Sequence, residues 1–151
     1  LKASRQPIPP CHFASQFYVH QGQTGEPESI SLQFHMRSAD MFLGVPFNIL
    51  SYGILLHLVA RHLNLKAKTV SVTFGDRHIY SNHVDQTMEF LNRQSAPYLP
   101  TFELSHTVPD ILDIRLISHM DVDTLNEVID SITASVNNYS PNGSIPAPVS
   151  M

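Results

Sequence analysis

The 151-residue sequence has a single cysteine, Cys11, so no disulfide can form within the chain and a cysteine-rich zinc site is excluded. A lone cysteine suits a reducing compartment, and a cytoplasmic location is expected. Positive charge is also scarce: 9 Lys and Arg stand against 13 Asp and Glu, a formal net charge of -4. The chain therefore lacks the basic field that a nucleic-acid backbone requires. No apolar run is long enough to cross a bilayer. The best stretch, Phe47 to Leu65, is broken by Asn48, His57, Arg61, His62 and Asn64. Neither nucleic acid nor membrane is expected as a partner. The first residues, Leu1 to Pro7, hold no signal-peptide apolar region and no initiator Met, and the chain is expected to be a piece of a longer protein. Metal-binding spacing is absent as well. The 9 histidines are scattered, His57 and His62 are one residue too far apart for a helical pair, and no HExxH occurs, so no metal is expected. There is no serine nucleophile elbow and no glycine-rich phosphate loop.

What is present is a globular composition, 42% hydrophobic and 15% charged, in a length that suits one domain with a core. Phe13, Ser15, Phe17 and Val19 alternate with Ala14, Gln16 and Tyr18, which predicts a strand over His12 to His20. Ser29 to Met36 alternates Ile30, Leu32, Phe34 and Met36 with polar residues. The glycine- and proline-bearing segment Gln21 to Pro27 lies between, so the two strands are expected to form a hairpin. Gly44-Val45-Pro46-Phe47 breaks the pattern before a helix from about Asn48 to Leu63. Leu50, Ile54, Leu58 and Arg61 lie near one stripe, with Leu55, Val59 and His62 beside it, and the apolar arc is wide, so the helix is expected to be mostly buried. Lys68 to Phe74 is a β-branched strand that Gly75-Asp76 interrupts. A second helix is expected from Ser81 to Arg93, capped by Ser81 or Asn82. Weaker strands are read at Thr101 to Ser105 and Ile111 to Ser118. A helix is read at Thr124 to Ser135, and a Pro/Gly-rich tail runs from Tyr139 to Met151. The fold class is α+β, a mainly antiparallel sheet packed with long buried helices, in a single domain over residues 1–151.

Several residues could carry chemistry, and each has a plainer reading. Cys11 follows two prolines that fix its backbone, and it is either a buried filler or a thiolate. Arg37 ends the second strand as Cys11 begins the first, so a hairpin brings them close. Arg37-Ser38 offers a planar fork and a hydroxyl to a phosphate, or is a surface arginine with a turn serine. Asp40 can accept two N–H bonds from a heterocycle, or pair with Arg37 or cap a helix. Asn48 both donates and accepts, which matches a uracil edge, or is an ordinary N-cap. His78 and Tyr80 are expected on one face and can reach a ribose hydroxyl, or form a polar pair at a sheet rim.

The order of these segments is more telling than any one of them. Pro9-Pro10-Cys11-His12, Gln16-Phe17-Tyr18-Val19, Arg37-Ser38-Ala39-Asp40, Phe42-Leu43-Gly44-Val45-Pro46-Phe47-Asn48-Ile49 and Gly75-Asp76-Arg77-His78-Ile79-Tyr80-Ser81-Asn82-His83 together resemble thymidylate synthase. The tail Tyr139-Ser140-Pro141, with Ile145 and Ala147-Pro148-Val149, is similar to that family's C-terminal segment. The resemblance covers nearly the whole chain, least well from Leu104 to Asn137.

The resemblance implies that Cys11 adds to C6 of dUMP and that 5,10-methylenetetrahydrofolate is the co-substrate. Arg37 and Ser38 would hold the nucleotide phosphate, Ala39 would belong to the same substrate site, and Arg37 would also favour the Cys11 thiolate. Asn48 would read the uracil, and His78 and Tyr80 the deoxyribose. His12, Gln16 and Asp76 would support the nucleotide pocket. Asp40 would orient the pterin, with Leu43, Gly44, Phe47 and Met151 lining the folate site and the tail closing over both ligands. A homodimer, or a complementing N-terminal half carrying a phosphate-binding loop, a catalytic glutamate and aromatic folate contacts, is implied as partner. Two departures stand out: Met36 replaces a glutamine before Arg37-Ser38, and Asn142-Gly143 replaces His-Pro in the tail. A sister family, the deoxypyrimidine hydroxymethylases, shares the cysteine and the folate and is the alternative. A second alternative is a fragment that is inactive without its N-terminal half.

Overall fold

Alternating apolar residues fix the central strand. Ile30, Leu32, Phe34 and Met36 are each at most 4% exposed and form one buried face of β2 (Pro27–Asp40). Burial of four such side chains stabilises the fold by about 1.5–3 kcal/mol each. A computed structural model describes residues 9–95, 97–106, 108, 110, 122–133 and 136–150. In it β1 (His12–Gln21) pairs antiparallel with β2, as the hairpin reading requires, with Phe17 opposite Leu32 and Val19 opposite Ile30. The register shifts between His12 and Ala14, so Phe13 is the extra residue of a bulge. Gly25, at a φ of 84°, supplies the left-handed turn of the connecting loop.

The third strand, β3 (Lys66–His78), lies on the other side of β2 and runs parallel to it. The three-stranded sheet is thus mixed, with one antiparallel and one parallel pair, because α1 (Gly44–His62) carries the chain back across the sheet before β3 begins. β3 is continuous through Gly75 and Asp76, where the sequence suggests an interruption. Helix α1 starts at Gly44 rather than Asn48, since Pro46 is tolerated in a first turn whose N–H groups have no helical partner. It ends in a Schellman turn: Asn64 takes a φ of 53°, and the Leu65 and Asn64 N–H groups donate to the Ala60 and Arg61 carbonyls at 2.8 and 3.0 Å.

The core has two adjoining parts. Ile30 and Leu32 pack with Leu56 and Ala60 of α1, while Phe34, Met36 and Ala39 pack with Val45. Tyr52 bridges them, its ring stacked on Phe34 at 3.8 Å between centroids. The buried stripe of α1 therefore runs through Val45, Leu56 and Ala60, with Leu58 beside it. Leu50, expected inside, is 55% exposed. The helix is apolar almost all round, so periodicity alone does not choose its face.

Beyond the sheet, a 3-10 turn, Ser81–His83, leads into α2 (Val84–Asn92). Neither Ser81 nor Asn82 caps the helix; His83 occupies the N-cap position without a side-chain capping bond. β4 (Thr101–Phe102) pairs antiparallel with β5 (Val136–Asn137), and α3 (Val122–Thr133) buries Val128. The expected strand Ile111 to Ser118, the expected helix end at Ser135, and Met151 lie outside the described residues. Among the described residues no helix is long and apolar enough to cross a membrane.

Candidate active site

The hairpin and the parallel crossover bring one end of the sheet together. Cys11 sits just before β1, and its carbonyl accepts the Arg37 N–H at 2.9 Å. The half-buried Cys11 packs beside Phe34, Met36, Ala39 and Val45. The Arg37 side chain is exposed and turns back along the preceding backbone: Nε donates to the Pro10 carbonyl at 3.1 Å and Nη2 to the Pro9 carbonyl. The same arginine thus holds the Pro-Pro-Cys segment by main chain and side chain. Its fork is engaged on carbonyls, and a phosphate would have to draw donors from it.

Asp40 closes β2. Its Oδ1 accepts the Phe42 N–H at 3.0 Å and the Leu43 N–H at 3.2 Å, which shapes the turn into α1. Both bonds use one oxygen, leaving Oδ2 for an outside donor. Gly44 lies between Asp40 and Asn48. A β-carbon there would sit 3.5 Å from the Asp40 β-carbon and 3.7 Å from Asn48 Oδ1, so the two polar side chains flank one bare point of backbone. Asn48 is half-buried within α1 and not at its cap. Phe47 is 69% exposed beside it.

β3 adds the third wall. Ser38 is paired with Asp76, Ala39 with Arg77 and Asp40 with His78, and the Met41 N–H donates to the His78 carbonyl at 3.0 Å. The His78 and Tyr80 rings meet edge to face at 4.9 Å, as their spacing suggested. His78 Nδ1 is buried with no hydrogen-bond partner among the described residues; the Asp76 carboxylate, 3.6 Å away, is too far for one. His12 faces α1, its ring 5.4 Å from Tyr52 and 6.1 Å from Phe34, and its Nδ1 is also buried without a partner among the described residues. Such orphaned nitrogens are costly unless something fills them.

Cys11, His12, Arg37, Ser38, Ala39, Asp40, Leu43, Gly44, Asn48, His78 and Tyr80 thus border one end of the sheet and the start of α1. Gln16 stands apart: it is exposed and paired with Gln33, on the sheet face away from α1. Two residues escaped the sequence reading. Gly75 allows β3 to approach the Arg37 backbone, a role hinted at by a glycine within a β-branched run. His83, the last residue of the family-like segment from Gly75, is fully buried, and nothing in that segment marks it for burial.

A family model described as thymidylate synthase matches residues 2–151. The chain belongs to the thymidylate synthase family. It is 41% identical over 145 residues to a thymidylate synthase of Listeria monocytogenes serovar 1/2a, covering 95% of this chain and 39% of that protein. The likeness to a thymidylate synthase of Listeria innocua serovar 6a is the same, 41% over 145 residues, with 95% and 39% covered. The crystal structure of thymidylate synthase from T4 phage superposes with a TM-score of 0.68 at 33% identity, over 95% of this chain and 47% of that one. The chain therefore spans about two fifths of the length of these curated thymidylate synthase relatives, and its α+β fold is that of the family.

Proposed function

We propose that this chain is the C-terminal, nucleotide- and folate-binding part of a thymidylate synthase-type catalytic domain that methylates dUMP to dTMP. The observation that carries this is the clamp of Arg37 on the Pro9-Pro10-Cys11 backbone, in a chain of this family. It holds the one thiol of the chain at the edge of the polar group formed by Asp40, Asn48, His78 and Tyr80.

In this reading Cys11 Sγ adds to C6 of dUMP, and C5 becomes nucleophilic. C5 then attacks the methylene carbon of 5,10-methylenetetrahydrofolate. Loss of the C5 proton lets tetrahydrofolate leave as an exocyclic methylene forms at C5. Tetrahydrofolate returns a hydride to that methylene, Cys11 departs from C6, and dTMP and dihydrofolate result. Arg37 and Ser38 bind the phosphate, with Ala39 between them and Asp40. Asn48 reads the uracil N3–H and O4. The Tyr80 hydroxyl, with the His78 ring packed beside it, suits a deoxyribose hydroxyl. Oδ2 of Asp40 suits a pterin N–H pair, with Leu43, Gly44 and Phe47 following in the chain; Met151, outside the described residues, keeps the folate role that the resemblance implies. His12 supports the nucleotide pocket, and Gln16 is the least supported member of the set.

The catalytic unit is completed by an N-terminal half, and it pairs as a homodimer in the cytoplasm. Supporting this, α1 packs chiefly over β2 and β3, so Phe17 and Val19, on the same face of β1, remain 38% and 42% exposed. Apolar groups placed on a core face without cover call for a further layer. One observation favours the hydroxymethylase alternative: the buried Met36, beside Cys11, stands where the family has glutamine. There, water attacks the exocyclic methylene in place of hydride.

The test is the mass of the nucleotide formed from dUMP and methylenetetrahydrofolate by the completed enzyme. A methyl product with dihydrofolate supports the synthase, and a hydroxymethyl product with tetrahydrofolate replaces it. With 5-fluoro-dUMP and the folate, intact mass should show a covalent adduct that Cys11→Ala abolishes. An adduct that survives in Cys11→Ala removes Cys11 from the mechanism.

A further inference from the structure

The C-terminal tail is stapled to α2 at both ends. At the far end of the helix, the Arg93 guanidinium donates to the Gly143 carbonyl, and Asn142 Nδ2 donates to the Gln94 carbonyl at 3.1 Å. At the near end, the His83 ring meets the Pro148 carbonyl through Nε2 at 2.7 Å, and Ser150 Oγ donates to Asn82 Oδ1 at 2.7 Å. A carbonyl only accepts, so Nε2 must carry the hydrogen. His83 is 0% exposed, so its ring depends on partners within the protein.

The backbone of His83 is fixed as well. Its N–H donates to the Tyr80 carbonyl at 2.9 Å, and its carbonyl accepts the Thr87 hydroxyl at 2.7 Å. Its ring packs 5.8 Å from the Tyr80 ring and 5.6 Å from that of Phe42. Phe42 follows the Asp40 turn, and Tyr80 follows His78. The one ring therefore touches the nucleotide-side segment, the folate-side turn and the tail.

We infer that His83, assisted by Asn82, is the positioning residue that latches the C-terminal tail over the site. Through its ring contacts with Phe42 and Tyr80, it fixes where Pro148 stands relative to the Asp40 turn and to Tyr80. The functional consequence rests on the reading of the tail as a lid, but the latch itself does not.

Hydrogen exchange with mass spectrometry on the full chain, without ligands, reads the amides of Ile145, Ala147, Val149 and Ser150, since Pro146 and Pro148 carry none. His83→Met matches the ring in volume and has no donor. It should speed exchange there about tenfold, the shift expected for loss of one net hydrogen bond. His83→Gln keeps an N–H near the Nε2 position and should restore most of the protection. Wild-type rates in His83→Met, or equal loss in both variants, overturn the proposal. If His83→Met does not fold, Ser150→Ala, which leaves the buried ring in place, must still loosen the tail, and unchanged exchange there overturns it too. In the completed enzyme, His83→Met should raise KM for methylenetetrahydrofolate about tenfold, by the same loss, with dUMP binding within about twofold of wild type. Loss of tail protection without that KM change would retain the latch and remove its role in folate binding. Turnover of no kind, with the exchange result intact, would fault the assigned activity instead.

Discussion

Gly75 lies against the backbone of Arg37 so closely that a β-carbon on it would stand 2.7 Å from the Arg37 carbonyl oxygen. The contact falls between the paired positions Met36–Phe74 and Ser38–Asp76, where two parallel strands converge beside Cys11. The obstructing atom is main chain and cannot swing aside. Gly75→Ala should therefore cost about 2–3 kcal/mol of stability, in the range of overpacked sites. Denaturant unfolding measures it. A loss below about 0.5 kcal/mol, the scale of a neutral surface change, would show that the strands do not meet this way.

Arg37 acts through geometry as well as charge. Its fork spans the Pro9 and Pro10 carbonyls, which a lysine cannot do. Arg37→Lys should lower kcat/KM for dUMP by at least about tenfold, the equivalent of one charge-assisted hydrogen bond. Steady-state kinetics of the completed enzyme decide the matter, and activity equal to wild type would mean that positive charge alone suffices.

Asn48 is half-buried in α1, separated from Asp40 by the bare backbone of Gly44. An amide matches the uracil donor and acceptor, whereas a carboxylate accepts only and suits the amino group of cytosine. Asn48→Asp should move the kcat/KM ratio from dUMP toward dCMP by about tenfold or more, since a site built for one hydrogen-bond pattern rejects the other. A fixed ratio would take base recognition away from Asn48.

His57 tests the linkage of pH to stability outside the site. Its ring packs edge-on to Phe102 at 4.9 Å, and burial lowers its pKa below the ordinary 6.5. As pH falls below 6.5, the unfolded chain takes up this proton before the folded one. The unfolded state then binds more protons, so stability declines on acidification until pH passes the lowered folded value. Above pH 6.5 the effect is absent. Thermal unfolding from pH 8 to 5 should show a shallower decline for His57→Leu than for wild type. Parallel curves for the two proteins would contradict the assignment.

Much of this architecture is legible locally. Strand β2 was readable because its alternation has a period of two and one face is buried, and its pairing with β1 followed from a short turn-rich loop. The buried face of α1 was not readable, because an almost uniformly apolar helix gives periodicity nothing to select. The continuity of β3 was hidden by Gly75, which lowers strand propensity yet is the residue that a close backbone approach demands. The start of α1 was hidden by Pro46, a helix breaker inside a helix and an acceptable residue in its first turn.

The sequence by itself determined the α+β class, the hairpin, the single thiol and the order of segments that marks the family. These follow from short-range spacing, residue chemistry and linear order. Only the tertiary structure decided that Arg37 turns its fork onto Pro9 and Pro10, that β3 returns parallel to β2, and that His83 holds Pro148. The last of these joins residues 65 positions apart, and the Arg37–Pro9 contact spans 28. Contacts at such separations depend on the path of the whole chain through α1 and its turns, and no local period encodes that path.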